Sequence, residues 1–312
     1  LALDDATAAF LAQAAEGGGK ALHEMTPSEV RAMNDTFVDL YGAGPDMHSV
    51  ENLTVTAADG HAIPTRVLTP NESPRGFFVY FHGGGWVVGN PDQFDTLARR
   101  IAAETGCTVI LPDYRLAPEN LYPTAADDAW DVLQWAASRR DSLDSALPLV
   151  VGGDSSGGNL AAVVSQRAVR DNGPAVALQV LVYPVTDHDF DNDSYVDPAN
   201  QLMLDRASMI WFWDLYAPDR SVRDNWNVSP LRADRLTDVA PAVVLLAEHD
   251  VLRDEGQRYA DKLTAAGVSV DVKVFEGQMH GFFQFVNILP GADLGITHVG
   301  TSVRAHLDSL VA

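Results

Sequence analysis

Two glycine-rich segments and one late histidine are the groups in this chain best suited to chemistry. In Val150-Val151-Gly152-Gly153-Asp154-Ser155-Ser156-Gly157-Gly158-Asn159-Leu160, the pattern Gly153-x-Ser155-x-Gly157 follows an apolar run and opens a helical one. Small residues around Ser155 permit a sharp strand-to-helix turn that lifts its hydroxyl above a sheet. The helix behind it then aims free N–H groups at developing negative charge. Register selects Ser155 over Ser156, because a pattern centred on Ser156 needs glycine at position 154, which is Asp. A glycine-rich turn with chance serines is the bland alternative, and the motif alone does not remove it.

The second segment is His82-Gly83-Gly84-Gly85-Trp86, at the end of the apolar run Phe77–Phe81. Consecutive glycines let backbone N–H groups approach a substrate carbonyl closely. Gly83, Gly84 and the N–H of Ser156 are the expected oxyanion hole, each donor contributing ~3 kcal/mol. His82 reads as an organiser of the loop. A dinucleotide-binding loop is excluded, because G-x-G-x-x-G begun at Gly83 meets Val88 and no helix opens directly after it.

A serine nucleophile needs a base, and an imidazole base needs a carboxylate to fix its tautomer. Leu245-Leu246-Ala247-Glu248-His249-Asp250 ends a strand run and puts Asp250 at the strand tip. Gly277-Gln278-Met279-His280-Gly281-Phe282 then supplies His280 on a turn after the last strand. The order serine, acid, histidine is the one strand-to-helix nucleophile elbows use. Glu248, Asp254 and Glu255 compete for the acid role, and strand-tip position favours Asp250.

These groups must be held by a frame. Asp4-Asp5 precede a helical stretch from Ala6 to Ala15 that Gly17-Gly18-Gly19 ends. Thr26-Pro27-Ser28-Glu29 reads as an N-cap, a helix-opening proline and a capping-box glutamate. The helix it opens would carry Val30, Met33, Phe37 and Leu40 on one face and close near Gly42. From about residue 50, strands and helices alternate. An opening pair, Val55–Ala57 and Ile63–Leu68, turns at Asp59-Gly60. Apolar strand runs follow at Phe77–Phe81, Val109–Leu111, Leu149–Val151, Leu178–Tyr183, Val243–Ala247 and Val270–Phe275, with helices over 91–104, 122–139, 157–170 and 252–266. This alternation predicts an α/β fold, a mostly parallel sheet covered on both faces. The stretch from Pro184 to Val239 is too long for a simple crossover and contains an aromatic helix, Met203–Tyr216. The predicted organisation is a helical cap segment over 1–48, a catalytic domain over 49–185 and 224–312, and a second cap segment over 186–223.

Taken together, the motifs resemble the hormone-sensitive-lipase-like (bacterial family IV) carboxylesterases of the α/β-hydrolase superfamily. The resemblance rests on His82-Gly83-Gly84-Gly85, Asp113-Tyr114-Arg115-Leu116-Ala117-Pro118-Glu119, Gly153-Asp154-Ser155-Ser156-Gly157-Gly158 and His280-Gly281-Phe282, and it spans the chain from about residue 50. It implies an α/β-hydrolase fold, a Ser155–Asp250–His280 triad, an oxyanion hole at Gly83, Gly84 and Ser156, and short-chain acyl esters as substrates. The Asp113–Glu119 stretch would be structural. Two residues depart from the family pattern: Ser156 stands where alanine is common, and Val251 where proline is common. Neither removes a required group. An amidase, lactamase or acyltransferase would use the same triad, and a non-catalytic ligand-binding protein on this fold would be expected to lack one of its members.

Composition narrows the partners. The chain has 43 acidic and 21 basic residues, a formal net charge of -22. That balance argues against nucleic acid and against docking on anionic membrane. The partner is a small-molecule ester, with a homodimer through the edge strand at Val268–Phe275 also consistent with the resemblance. The single cysteine, Cys107, permits no internal disulfide and reads as a buried thiol. No cofactor and no metal are expected. Asp187-His188-Asp189-Phe190-Asp191-Asn192-Asp193 resembles a calcium loop, but Ser194 and Asn200 occupy its glycine and glutamate positions. Gly17-Gly18-Gly19-Lys20 fails as a phosphate loop, with Ala14 and Ala21 at required positions. Trp86, Asp154 and Trp211 are the candidates for a substrate pocket, with core packing the rival reading for the tryptophans. Neither a leader nor a membrane span is evident, so the expectation is a soluble, cytoplasmic protein.

Overall fold

Continuous apolar runs become strands buried on both sides. The computed structural model describes residues 2–142 and 147–311, so the outermost residues of the predicted first and last segments, 1 and 312, lie outside the described residues. The N-terminal elements are α1 (Asp5–Glu16), α2 (Pro27–Asp35), α3 (Val38–Tyr41), β1 (Ser49–Thr56) and β2 (Ala62–Thr69). Then come β3 (Phe77–Phe81), α4 (Asp95–Thr105), β4 (Thr108–Pro112), α5 (Thr124–Ser142), β5 (Leu149–Asp154), α6 (Ser156–Arg170) and β6 (Val176–Val182). The remainder is α7 (Asp193–Val196), α8 (Arg206–Tyr216), β7 (Ala242–His249), α9 (Arg253–Ala265), β8 (Val270–Met279) and α10 (Pro290–Ser309).

The eight strands form one sheet in the order β1-β2-β4-β3-β5-β6-β7-β8. Only β2 runs against its neighbours, pairing antiparallel with both β1 and β4. The short turn at Asp59-Gly60 explains the first pairing: Gly60 has a φ of 87°, and Ala57 N–H donates to the His61 carbonyl at 2.8 Å. From β3 to β8 the strands are parallel to one another, because each is joined to the next by a connection long enough to hold a helix.

Alternate residues of each strand feed two separate cores. Phe77, Val79 and Phe81 of β3 join Val151, Leu181, Val244 and Leu246 beneath α5, α6 and α9. Phe78 and Tyr80 join Val109, Val150, Val180 and Leu245 beneath α4 and α10. This two-sided burial is why the strands read as unbroken apolar runs instead of alternating ones.

Two details differ from the sequence reading. The helix opened at Pro27 stops at Asp35 and restarts at Val38. The Thr36 hydroxyl donates to the Met33 carbonyl at 2.6 Å, drawing the backbone acceptor away from the helical ladder. The predicted apolar face is thereby split: Val30 is buried, whereas Met33 and Leu40 are exposed. The run Val270–Phe275 is also less buried than a central strand. It lies in β8 at the sheet edge, and only Phe275 of the six is buried.

The predicted cap elements lie at the carboxyl ends of the strands. α1 is joined to the end of β8, where Asp4 N–H donates to the Gly277 carbonyl at 3.1 Å. From α2, Arg31 donates to the carbonyls of Val87 and Ala117, both at 2.9 Å, and pairs with Glu119. α8 lays Phe212 directly on Gly85.

The tightest joint is between β3, β5 and α6. A Cβ on Gly157 would overlap the Phe81 carbonyl, which is backbone and cannot turn aside. Gly157→Ala is therefore expected to lower stability by about 3 kcal/mol, the upper part of the usual overpacking range. Urea or guanidinium melts of the two proteins measure it; an unchanged midpoint would contradict this packing.

Candidate active site

Ser155 stands between β5 and α6 with φ 55° and ψ -118°. A non-glycine residue pays about 1–3 kcal/mol for such a backbone. Its surroundings hold it there. Ser155 N–H donates to the Val182 carbonyl at 2.9 Å, and its own carbonyl accepts from Asn159 and Val185. Asn159 also ties the first turn of α6 to Val185 and Val228 carbonyls, each at 2.9 Å. The hydroxyl is thus presented at a fixed point above the sheet, and the residue is 7% exposed.

His280 comes to that point from the end of β8. Gly281, with φ 85°, turns the chain immediately after it. His280 Nε2 lies 3.0 Å from Ser155 Oγ, and its Nδ1 lies 2.8 Å from Asp250 Oδ2. Asp250 is fully buried, and its other oxygen accepts from Leu252 N–H at 2.9 Å. The predicted triad residues are therefore brought together in hydrogen-bonding order. The rival acids are occupied elsewhere: Glu248 accepts from Gly277 N–H, Asp254 from Ser194 N–H and Glu255 from Thr186 N–H.

The glycine loop differs by one residue from the expectation. Gly83 N–H donates to Asp154 Oδ1 at 3.0 Å in a buried contact, so it is not free to meet an oxyanion. Among the described residues, Gly84 and Gly85 N–H groups have no acceptor. Ser156, the first residue of α6, has no carbonyl one turn back within its helix. The free donors are thus Gly84, Gly85 and Ser156, and Gly83 instead anchors the loop. His82 supports the same loop. It stacks on Tyr114 with ring centroids 4.3 Å apart, and Tyr114 OH donates to its carbonyl at 2.8 Å. Burial pushes the His82 imidazole down to about 4, opposed by its contact with the Gly83 carbonyl, so it stays neutral at physiological pH.

The sequence matches the pattern of the alpha/beta hydrolase fold family over residues 78–284. The chain belongs to that family. Within it the chain sits in the hormone-sensitive-lipase-like branch, among esterases. It is 35% identical over 306 residues to an ethyl acetate hydrolase of Pseudomonas putida, covering 95% of this chain and 96% of that protein. It is 38% identical over 237 residues to the carboxylesterase NlhH of Mycobacterium tuberculosis, covering 74% of each. A thermostable esterase from Pseudomonas putida ECU1011 superposes with a TM-score of 0.91 at 36% identity over 98% of both chains. The hyperthermophilic esterase of the archaeon Pyrobaculum calidifontis gives a TM-score of 0.91 at 32% identity, over 98% of this chain and 99% of that one.

In this α/β-hydrolase the candidate pocket residues take other places. Trp86 is fully buried, stacked on Tyr216 at 4.3 Å and edge-on to Trp213 at 5.2 Å. It is core between the glycine loop and α8, held by those two rings. Asp154 is buried too, receiving Tyr80 OH at 2.8 Å as well as Gly83 N–H. It holds the loop and is not a lining group. Trp211 is half-buried and packs edge-on against Phe212 at 5.0 Å. A cleft of about 600 Å³ lies between α2 and the Asp113–Asn120 loop, and Ser155 does not line it.

Other sequence features resolve into structure. The acidic loop after Pro184 is held by ion pairs of Asp187 with Arg232, Asp189 with Arg258 and Asp191 with Arg206, and by a hydrogen bond between His188 and Asp224. Among the described residues no group of three or more His, Cys, Asp or Glu side chains could hold a metal. Cys107 is buried, and burial pushes its thiol up to about 11. No described helix is long and apolar enough to cross a membrane. Tyr80 and Tyr183 lie beside the site without any sequence signal. Tyr183 packs on the His280 ring at 4.6 Å from a backbone of φ 33°. Nothing in a lone aromatic within an apolar run marks such a role.

Burial raises the Asp154 carboxyl to about 6, with the Tyr80 hydroxyl opposing it. Folded Asp154 therefore keeps a proton that the unfolded chain releases near pH 4, and it weakens the fold as pH rises from about 4 to about 6. Asp154→Asn keeps an acceptor for both donors and cannot ionise. Its stability relative to the wild type is expected to rise by about 3 kcal/mol across that window. Denaturant melts at several pH values check this, and a pH-independent difference would contradict it.

Proposed function

We propose that this protein is a carboxylesterase that hydrolyses short- to medium-chain acyl esters through an acyl-enzyme on Ser155. The observation that carries the reading is His280 standing between Ser155 Oγ at 3.0 Å and Asp250 Oδ2 at 2.8 Å. The printed activities of its relatives, ethyl acetate hydrolase and carboxylesterase, agree with an ester of modest size as substrate.

The chemistry follows from the roles these groups can take. Ser155 Oγ attacks the ester carbonyl carbon while His280 Nε2 accepts the hydroxyl proton. Asp250, bonded to Nδ1, keeps the tautomer correct and stabilises the imidazolium. The carbonyl oxygen becomes an oxyanion facing Gly84, Gly85 and Ser156 N–H groups, which are set before the reaction and need no reorganisation. His280 then passes its proton to the leaving alkoxide, and the alcohol departs. Water, deprotonated by His280, attacks the acyl carbon and regenerates Ser155. Every proton is carried by one imidazole, and the side chains present suffice for each step.

Hydrolysis of p-nitrophenyl acetate, butyrate, octanoate and palmitate tests the proposal. Turnover is expected on the short esters and is expected to vanish in Ser155→Ala. Asp250→Asn is expected to lower kcat by ~10³–10⁴-fold, since the wrong imidazole tautomer would face the serine. Ester turnover retained by pure Ser155→Ala would sink the assignment. Activity confined to matched amides would move the protein to an amidase.

A further inference from the structure

Glu255 is a fully buried carboxyl group in the first turn of α9, and the hydrolytic steps above do not use it. Its Oε1 accepts two backbone N–H groups, from Thr186 at 2.6 Å and Asp187 at 3.2 Å. Its own carbonyl accepts the Thr186 hydroxyl at 2.8 Å. Thr186 and Asp187 are the residues at which the inserted segment leaves the sheet after β6. The same turn holds that segment a second time further on: Asp254 accepts from Ser194 N–H at 2.9 Å, and the Val251 carbonyl accepts from Ser194 Oγ at 2.6 Å. Asp250 begins this turn, with Arg253 N–H donating to its carbonyl at 3.2 Å. One short stretch of chain thus carries the triad acid and grips the root of the segment that brings α8 over the glycine loop.

We propose that Glu255 is a positioning residue of the hydrolytic site, tying the root of the inserted segment to the helix turn that carries Asp250. The proposal rests on the serine-hydrolase reading of Ser155, His280 and Asp250.

The geometry also points to Glu255 acting as the neutral acid. Oε2 has no hydrogen-bond partner among the described residues, and the Tyr195 hydroxyl lies beside the carboxyl without reaching bonding geometry. The charged groups facing it are the carboxylates Asp187 and Asp250; the nearby cation, Arg232, is already paired with Asp187. A buried carboxylate with like charges around it and no cation of its own is strongly disfavoured, and the proton stays on. Burial accordingly drives this carboxyl well above the ordinary range. Neutrality matters for the triad, because a second fixed negative charge behind Asp250 would alter the energy of the imidazolium that forms on His280.

The test separates this proposal from the reading beneath it. Covalent labelling by a fluorophosphonate probe reports the reactivity of Ser155 whether or not an ester is the natural substrate. Wild-type protein that does not label overturns the serine-hydrolase reading itself. Given labelling, Glu255→Gln, which keeps the acceptor and lacks the charge, is expected to react within about 3-fold of wild type, with the acid limb of its pH–rate profile unmoved. Glu255→Ala is expected to react ~10–100-fold more slowly per titrated site, the scale on which small misplacements act. Thr186→Val is the milder variant and loses only the hydroxyl bond to the Glu255 carbonyl; it is expected to react about 3-fold more slowly. Wild-type rates in both Glu255→Ala and Thr186→Val would overturn the positioning role. A Glu255→Gln acid limb displaced to lower pH would show a charge in the wild type and overturn neutrality. If Glu255→Ala does not fold, Thr186→Val and Glu255→Gln decide the two questions alone.

Discussion

Three stretches of backbone meet at Ser155 with no space for a side chain between them. The Phe81 carbonyl at the end of β3 occupies the position a Cβ on Gly153 or Gly157 would need. This contact brings β3, β5 and α6 together as one unit. The serine hydroxyl comes from β5, the glycine loop continues from β3, and the N–H of Ser156 belongs to α6. The Ser155 hydroxyl and the free N–H groups beside it are thus set by a single close packing, and the positive-φ backbone at Ser155 is carried by the sheet and by Asn159.

The other half of the site is an electrostatic arrangement. Three buried carboxyl groups lie around the serine, and each is accommodated differently. Asp250 faces His280 Nδ1 on one oxygen and accepts one backbone N–H on the other. Asp154 accepts Tyr80 OH and Gly83 N–H, and burial still raises it to about 6. Glu255 has only backbone donors on one oxygen and two carboxylates for neighbours. Removing a carboxyl from water is costly unless donors or a cation replace the water. The donors available therefore sort the three into a partner for His280, a loop anchor and a neutral strut.

The segments outside the sheet are secured by arginines. Arg31 fastens α2 to the glycine loop and to Glu119, Arg223 closes the end of α8 on the Trp213 and Ala217 carbonyls, and Arg232 holds the acidic loop. In a chain of net charge -22, scarce cations sit where acidic or carbonyl-rich segments must be kept near the site. That placement gives the acidic loop after Pro184 a structural explanation without a metal.

Local pattern was enough for much of this molecule. Gly153-x-Ser155-x-Gly157 marked the strand-to-helix turn at Ser155, because only small residues fit there. Apolar runs marked the strands because both sheet faces are covered. Strand-tip position favoured Asp250 over Glu248, Asp254 and Glu255, and it is Asp250 that meets His280. What the tertiary structure decided depended on contacts between residues distant in the chain. His280 and Ser155 meet across 125 residues. Gly83 lost its expected role to Asp154, a partner 71 residues away. Trp86 and Asp154 lie in the interior, because their neighbours in space, not residue type, set where they point. Sequence carries the steric and periodic requirements of each element; which donor meets which acceptor exists only once the sheet has brought their ends together.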